Sequence, residues 1–302
     1  MATRLKTSVL IFLLATLNAL AQSKDSCPVN PADFAAIRQR ANANDPSAQT
    51  ALAFCYDLGR NVEPSRKENM IWLEKAANQD YAPAQYELGR IYLYGRGVPV
   101  DYAQALVWER KAAAQGDARA QRDLAFMYER GFGVAADPAQ AAQWNRKAAA
   151  QGNTEAQTHL AQALAEGAGV KKDPAQAQQL YAKAARKEHP AAQLQLARTY
   201  AAQSDCTQAI HWYKEAASGG ESRAMFELGK LYTEKKCGPN RSSAYQWFTT
   251  GARFGSEESK AEAEKLSPSL TPTQRKSALE TVERWIKQHP GSREEEDEEE
   301  GK

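Results

Sequence analysis

The chain has 302 residues, of which 42% are hydrophobic and 25% charged, with a formal net charge of +2. This fits a soluble globular chain with much Ala and Gln, as helical stacks require. So small a net charge implies no strong preference for nucleic acid or for membrane surfaces.

Residues 1–21 read as a secretory signal peptide. Arg4 and Lys6 give a basic start, the apolar run VLIFLLATLNAL is too short for a membrane span, and Ala19-Leu20-Ala21 is an A-x-A cleavage site. The mature chain is expected to begin at Gln22, without a transmembrane span, in the periplasm or outside the cell. Cys27 has no lipobox around it, so no lipid anchor is expected. Residues 22–44 form an N-terminal cap, whose segment PADFAAIRQRANA reads as one helix.

A repeat follows. Gln49, Gln85, Gln121, Gln157 and Gln193 are spaced 36 residues apart, and a fixed period of this size marks a stack of one unit. With that Gln as offset zero, an Ala stands at −1 (Ala48, Ala84, Ala120, Ala156, Ala192, and Ala224 in a sixth copy with Met225), a Leu at +3 (Leu52 to Leu228) and Ala or Gly at +4. A Tyr stands at +7 in five of the six copies, with Leu164 in the fourth. These offsets share one face of a helix. Gly59, Gly95, Gly131 and Gly167 then stand where a left-handed C′ residue ends it. Asn61, Gly97, Gly133 and Gly169 follow in the loop, and Val62, Val98, Val134 and Val170 plug that loop into the core. Ser65, Asp101, Asp137 and Asp173 cap a second helix, with Pro138 and Pro174 at its first position. That helix carries Trp72, Trp108 and Trp144, then Lys75, Lys111, Lys147 and Lys183, and Gln115-Gly116 or Gln151-Gly152 turns the chain into the next copy. Each copy is an αα-hairpin, which cannot bury its apolar stripe alone, so the copies must stack.

The pattern A-x-A-Q-x-x-L-G-x-x-Y-x-x-G-x-G-V-x-x-D-x-x-x-A-x-x-W-x-x-K-A-A-x-Q-G resembles the Sel-one-like repeat (SLR) family of tetratricopeptide-like α-solenoids. The resemblance covers 45–256 as six repeats at 45–80, 81–116, 117–152, 153–188, 189–220 and 221–256. Copy five lacks the Gly-x-Gly-Val loop and is four residues shorter, and copy six has EKKCGPNRSSA in its place. The fold implied is all-α, a right-handed superhelix of stacked αα-hairpins with helical caps at both ends. The function implied is that of a non-enzymatic interaction scaffold or adaptor. The other class is an enzyme, since a cysteine-rich branch of the family is described as β-lactamase-like or penicillin-binding. That branch carries many regularly placed cysteines, and this chain has only four.

Residues 257–290 form the C-terminal cap. Thr271, Pro272 and Gln274 spell a capping box for a last helix, with Ala278, Leu279, Val282, Trp285 and Ile286 as its apolar stripe. Residues 291–302, including seven acids at 294–300, are too charged to pack.

Cys27, Cys55, Cys206 and Cys237 are an even number in an exported chain, which favours disulfides over four buried thiols. Three pairings are possible. Cys206 with Cys237 is favoured because both fall in inner loops of adjacent copies, and Cys27 with Cys55 because both lie near the N-terminal cap. No C-x-x-C or H-E-x-x-H occurs, His159, His189, His211 and His289 hold unrelated repeat positions, and the glycine loops follow helices rather than strands. No catalytic group, metal or cofactor is therefore expected.

Offsets +1, +5 and +9 of the first helix should point away from the packed stripe at about 100° per residue. They place Tyr86, Arg90, Tyr94, Arg122, Phe126, Arg130, Arg198 and Lys230 on a concave face, together with Phe54, Gln162 and Phe226. Arg and aromatic residues in a solenoid hollow are typical of recognition surfaces. The partner expected there is a protein or peptide, acidic in character, or an acidic envelope glycan. Arg90 and Phe126 should be neighbours across the stack.

Overall fold

The computed structural model describes residues 27–289. The expected signal peptide, its expected cleavage site and the acidic run lie outside the described residues. Fifteen α-helices and two short 3-10 turns make up the described chain, which contains no strand. It divides into two compact units, 1–153 and 154–302.

In the first unit α1 (Pro31–Asn42) caps three hairpins, α2 (Pro46–Leu58) with α3 (Arg66–Ala77), α4 (Ala82–Tyr94) with α5 (Tyr102–Ala114), and α6 (Ala118–Arg130) with α7 (Pro138–Ala150). Each helix packs on the next, and the first helices α2, α4 and α6 also touch in sequence. The second unit holds α8 (Thr154–Glu166) with α9 (Pro174–Ala185), α10 (Pro190–Ala202) with α11 (Cys206–Ser218), and α12 (Ser222–Leu231) with α13 (Arg241–Arg253), followed by α14 (Glu257–Leu266) and α15 (Pro272–Gln288). Here too consecutive helices pair as far as α14, α10 touches α12, and α15 packs on α13. Among the described residues no helix is long and apolar enough to cross a membrane.

Local chemistry sets the element ends. Asp101 and Asp137 each accept two backbone N–H groups at the start of α5 and α7, and Asp173 and Ser65 accept one each for α9 and α3. Such caps satisfy donors that have no partner inside the helix. Gly59, Gly95, Gly131 and Gly167 end the first helices with φ of 63°, 68°, 73° and 83°. Asn61 adopts φ 62° where the next three copies have the second loop glycine. The glycine is compulsory at Gly133, whose φ is +68° and where a Cβ would overlap the Tyr102 carbonyl oxygen. Val62, Val98 and Val134 pack against the core as plugs.

The core is built of alanine and leucine at the expected offsets. The six Ala at −1 and the six Leu at +3 are all buried. The small residue at +4 lets the second helix come close. A Cβ on Gly89 would lie 2.5 Å from Glu109 Oε1, and one on Gly229 would lie 2.6 Å from the Phe248 ring.

The offset-zero Gln has a role that periodicity did not disclose. Gln49, Gln85 and Gln121 are buried, and their Nε2 groups donate to the carbonyls of Ala41, Ala77 and Ala113 at 3.2, 3.1 and 3.2 Å. Their Oε1 atoms accept from Nε2 of Gln79, Gln115 and Gln151 at 2.7, 2.7 and 2.9 Å. Each Gln thus satisfies a helix-end carbonyl of the preceding element and the turn residue of its own copy. Gln193 repeats the first bond in the second unit, to Ala185 at 3.3 Å.

Both expected disulfides are present. Cys27 is bonded to Cys55, with Cα atoms 5.2 Å apart, and Cys206 to Cys237, at 5.5 Å. The first bond straps the segment before α1 onto α2, beside Arg60 and Asn61, which donate to the carbonyls of Cys27 and Pro28 at 3.0 and 2.8 Å. The second joins the start of α11 to the 3-10 turn Lys235–Cys237, the two connections that lack the glycine loop.

The last helix shows the expected capping box at Thr271 and Gln274. Its stripe is narrower than the sequence suggests. Ala278, Val282 and Ile286 are buried, and Trp285 stands edge-on to Trp247 and Phe254 at 5.7 and 5.8 Å. Leu279 is 38% exposed, because α15 packs on α13 and turns this residue outward.

Candidate binding face of the first helices

Tyr86, Arg90 and Tyr94 follow one another at i, i+4 on α4, and Arg122, Phe126 and Arg130 do so on α6, so each trio lines one helix face. The Arg90 guanidinium lies 5.7 Å from the Tyr86 ring and 5.4 Å from the Tyr94 ring, and Arg130 lies 5.6 Å from Phe126. Arg96, in the loop after α4, lies 5.7 Å from Tyr94. These are cation–π separations, within which aromatic faces hold planar guanidiniums while the in-plane N–H donors stay available.

The three offsets are not equivalent. Tyr94 is 46% exposed, whereas Tyr86 is 4% exposed and Phe54 is equally buried. Tyr86 therefore does not face outward as its helix angle implies. A first helix in a stack has a neighbour on each side, and offset +1 lies in the seam toward one of them. Tyr86 sits under Arg119, 4.3 Å from its ring, as well as under Arg90. Burial, and then the charge of Asp123, push its phenol well above the usual tyrosine range. Offsets +5 and +9 form the open part of the face, with Arg90 and Phe126 half-buried and Arg130 exposed. Arg90 is engaged along its own helix, with the Tyr86 and Tyr94 rings. Phe126 stands edge-on to Phe132 at 5.6 Å, and Phe132 stacks on Tyr102 at 4.4 Å.

The eight expected residues fall into two sets. In the second unit Arg198 and Lys230 both converge on Glu227, at 3.2 and 4.0 Å, and Arg223 joins them at 3.2 Å. In the first unit Arg122 pairs with the fully buried Asp123 at 2.5 Å. The Arg90 Nε is buried and has no acceptor among the described residues.

Beneath this face lies a residue the sequence reading passed over. Glu109 of α5 is fully buried, and neither carboxyl oxygen has a hydrogen-bond partner among the described residues. Burial pushes its carboxyl well above the usual range, Asp123 and Asp117 add to the shift, and Arg122 opposes it. The signal was available. The corresponding buried positions of the other second helices are Leu73, Asn145, Tyr181, Tyr213 and Phe248, so Glu109 is the one acid in that column. No group of three or more His, Cys, Asp or Glu placed to hold a metal ion occurs among the described residues.

The geometry of the hairpins agrees with known proteins. The chain is similar to a protective antigen of uropathogenic Escherichia coli displaying an SLR fold, at 30% identity and a TM-score of 0.72, over 85% of this chain and 56% of that one. It thus spans little more than half the length of that relative. A Sel1 repeat protein from Oxalobacter formigenes is 34% identical with a TM-score of 0.62, over 69% of this chain and 85% of that one. PilF of Pseudomonas aeruginosa, at 20% identity and a TM-score of 0.55 over 74% of this chain and 99% of that one, shares the fold. No curated protein matches. The Sel1 repeat pattern matches residues 46–81, 82–117, 118–153, 154–189, 190–221 and 222–254, one residue later than the copies begin in the sequence reading. With six matched copies running through well over half its length, this chain belongs to the Sel1 repeat family.

Proposed function

We propose that the protein is an exported, non-enzymatic scaffold that holds a protein or peptide partner on the first helices of copies two and three. A Sel1 repeat scaffold fits a protein-interaction role. The single observation that carries the finer reading is the half-open ladder of Tyr86, Arg90 and Tyr94 beside Phe126 and Arg130. Arginine and aromatic anchors that are already ordered give up little side-chain freedom on binding. Arg198 and Lys230 are a weaker part of the same proposal, since both already engage Glu227. Export is supported by the two disulfides, which persist in oxidising compartments.

The test is capture of partners from the native cell envelope, comparing the parent with the double variant Arg90→Glu, Arg130→Glu. The variant should keep its helicity and melt within about 0.5 kcal/mol of the parent, while losing tenfold or more in affinity, about 1.4 kcal/mol. A captured partner that binds both proteins equally would remove this face from consideration. Turnover of nitrocefin by the purified chain would replace the scaffold reading with the enzymatic one.

A further inference from the structure

A crevice of about 340 Å³ opens in the first unit between α2, α3 and α4. Three guanidiniums line it, those of Arg66, Arg90 and Arg96. Each is placed by a different contact. Arg66 is the first residue of α3, and its stem lies so close to Gly97 that a Cβ there would be 2.7 Å from Arg66 Cδ. Arg90 is held between the rings of Tyr86 and Tyr94, and Arg96 lies on Tyr94. Aromatic contact engages the guanidinium faces and leaves the N–H edges directed elsewhere. Among the described residues none of the three is in an ion pair, and the buried Arg90 Nε has no acceptor. Arg66 and Arg96 are exposed at the rim, whereas Arg90 is deeper and half-buried.

Two carboxylates, Asp57 and Glu87, share the lining, and buried Phe54 and Leu73 back it. Both carboxylates already engage other groups, so the guanidinium edges are what the crevice offers to an anion. Beside two carboxylates a monoanion is favoured over a dianionic phosphate, which like charges disfavour more strongly. A guanidinium fork matches the two oxygens of a carboxylate. The volume lies at the low end of small-molecule sites, enough for one residue-sized group.

We propose that this crevice binds a peptide carboxylate, with Arg90 as the deep anchor and Arg66 and Arg96 closing on it from the rim. This deepens the binding reading above and rests on it for the peptide, while the carboxylate is read from the crevice itself. Its source is either a chain terminus or an Asp or Glu side chain.

The experiment follows the Arg90 Nε–H resonance of the ¹⁵N-labelled full chain during titration. Four probes separate the cases: N-acetyl-leucine for the α-carboxylate, the α-amide of N-acetyl-glutamic acid for the side-chain carboxylate, neutral N-acetyl-leucinamide, and inorganic phosphate. A carboxylate should shift the resonance saturably, and whichever of the two binds tighter names the source. N-acetyl-leucinamide should leave the resonance in place, and phosphate should bind more weakly. Arg66→Gln, at an exposed position, and Arg90→Gln, checked for folding by circular dichroism, should each weaken carboxylate binding, the second by about tenfold or more. The proposal is overturned if neither carboxylate moves the resonance, if phosphate binds as well as the better carboxylate, or if folded Arg90→Gln keeps the parent affinity. A partner that occupies the first-helix face and is not displaced by N-acetyl-leucine or by the glutamic acid α-amide removes the crevice alone. Carboxylate binding without any captured partner removes the scaffold reading alone.

Discussion

Copies two and three, and copies five and six, put the same offsets to different use. In copies two and three the connection within each hairpin is a glycine loop with left-handed residues at Gly95, Gly97, Gly131 and Gly133 and a valine plug. In copies five and six it is a shortened turn through Ser204 and a 3-10 turn, joined by the Cys206–Cys237 bond. The charges differ in parallel. At offset +5, Arg198 is matched by Glu227 of the next copy, while Asp123, which holds the position corresponding to Glu227, is fully buried and paired with Arg122. Packing offsets are held constant while two devices vary: how the hairpin is closed, and whether the offset +5 arginine is held by an ion pair, as Arg198 is, or by aromatic rings, as Arg90 is.

The covalent closure should show the largest effect. Replacing Cys206 and Cys237 with Ala frees a connection of 31 residues, and the chain-entropy relation gives a cost of roughly 3–4 kcal/mol. Chemical denaturation followed by hydrogen exchange should place the loss in the second unit. An unchanged midpoint would mean that the shortened turns close these copies without the bond.

The glycine closure should be nearly as sensitive, and only where backbone crowds it. Gly133→Ala meets both a left-handed φ and the Tyr102 carbonyl, at a cost of about 2–3 kcal/mol. Gly238→Ala has a similar φ of +74° but nothing within 4 Å, so it should cost only about 1 kcal/mol. Equal losses at the two sites would show that φ alone sets the requirement.

Much of this was legible in the sequence. The caps at Ser65, Asp101, Asp137 and Asp173 and the loop glycines of the first four copies follow from residues that recur in register, because a repeat states its local chemistry several times. The Cys206–Cys237 pairing could be read from the inner loops of adjacent copies, and Cys27–Cys55 from nearness to the N-terminal cap. Two things could not. The seam between copies buries offset +1, so Tyr86 and Phe54 are inside, and helix periodicity describes one helix face without showing how many neighbours the helix has. The Gln49, Gln85 and Gln121 bridges depend on side-chain amides meeting across turns, which a conserved spacing marks but does not explain.

Glu109 tests the charge half of the comparison with a smaller effect. Its folded carboxyl titrates above its unfolded one, so its contribution to stability is complete below the ordinary carboxylate range and is lost as pH rises through the folded value. Glu109→Gln, or Glu109→Leu after the Leu73 of copy one, should therefore gain on the parent as pH rises. The gain should reach about 1–2 kcal/mol at neutral pH. Melting curves across the acid-to-neutral range check this, and a gain largest at low pH would reverse the assignment.

The central claim is that the arginine–aromatic ladder of copies two and three is where a partner binds. Hydrogen exchange of the full chain with and without a partner captured from the cell envelope tests it most directly. The account predicts slowed exchange in α4, α6 and the loop carrying Arg96, with copies five and six unchanged. Protection confined to copies five and six, or to the second helices α5 and α7, would contradict it.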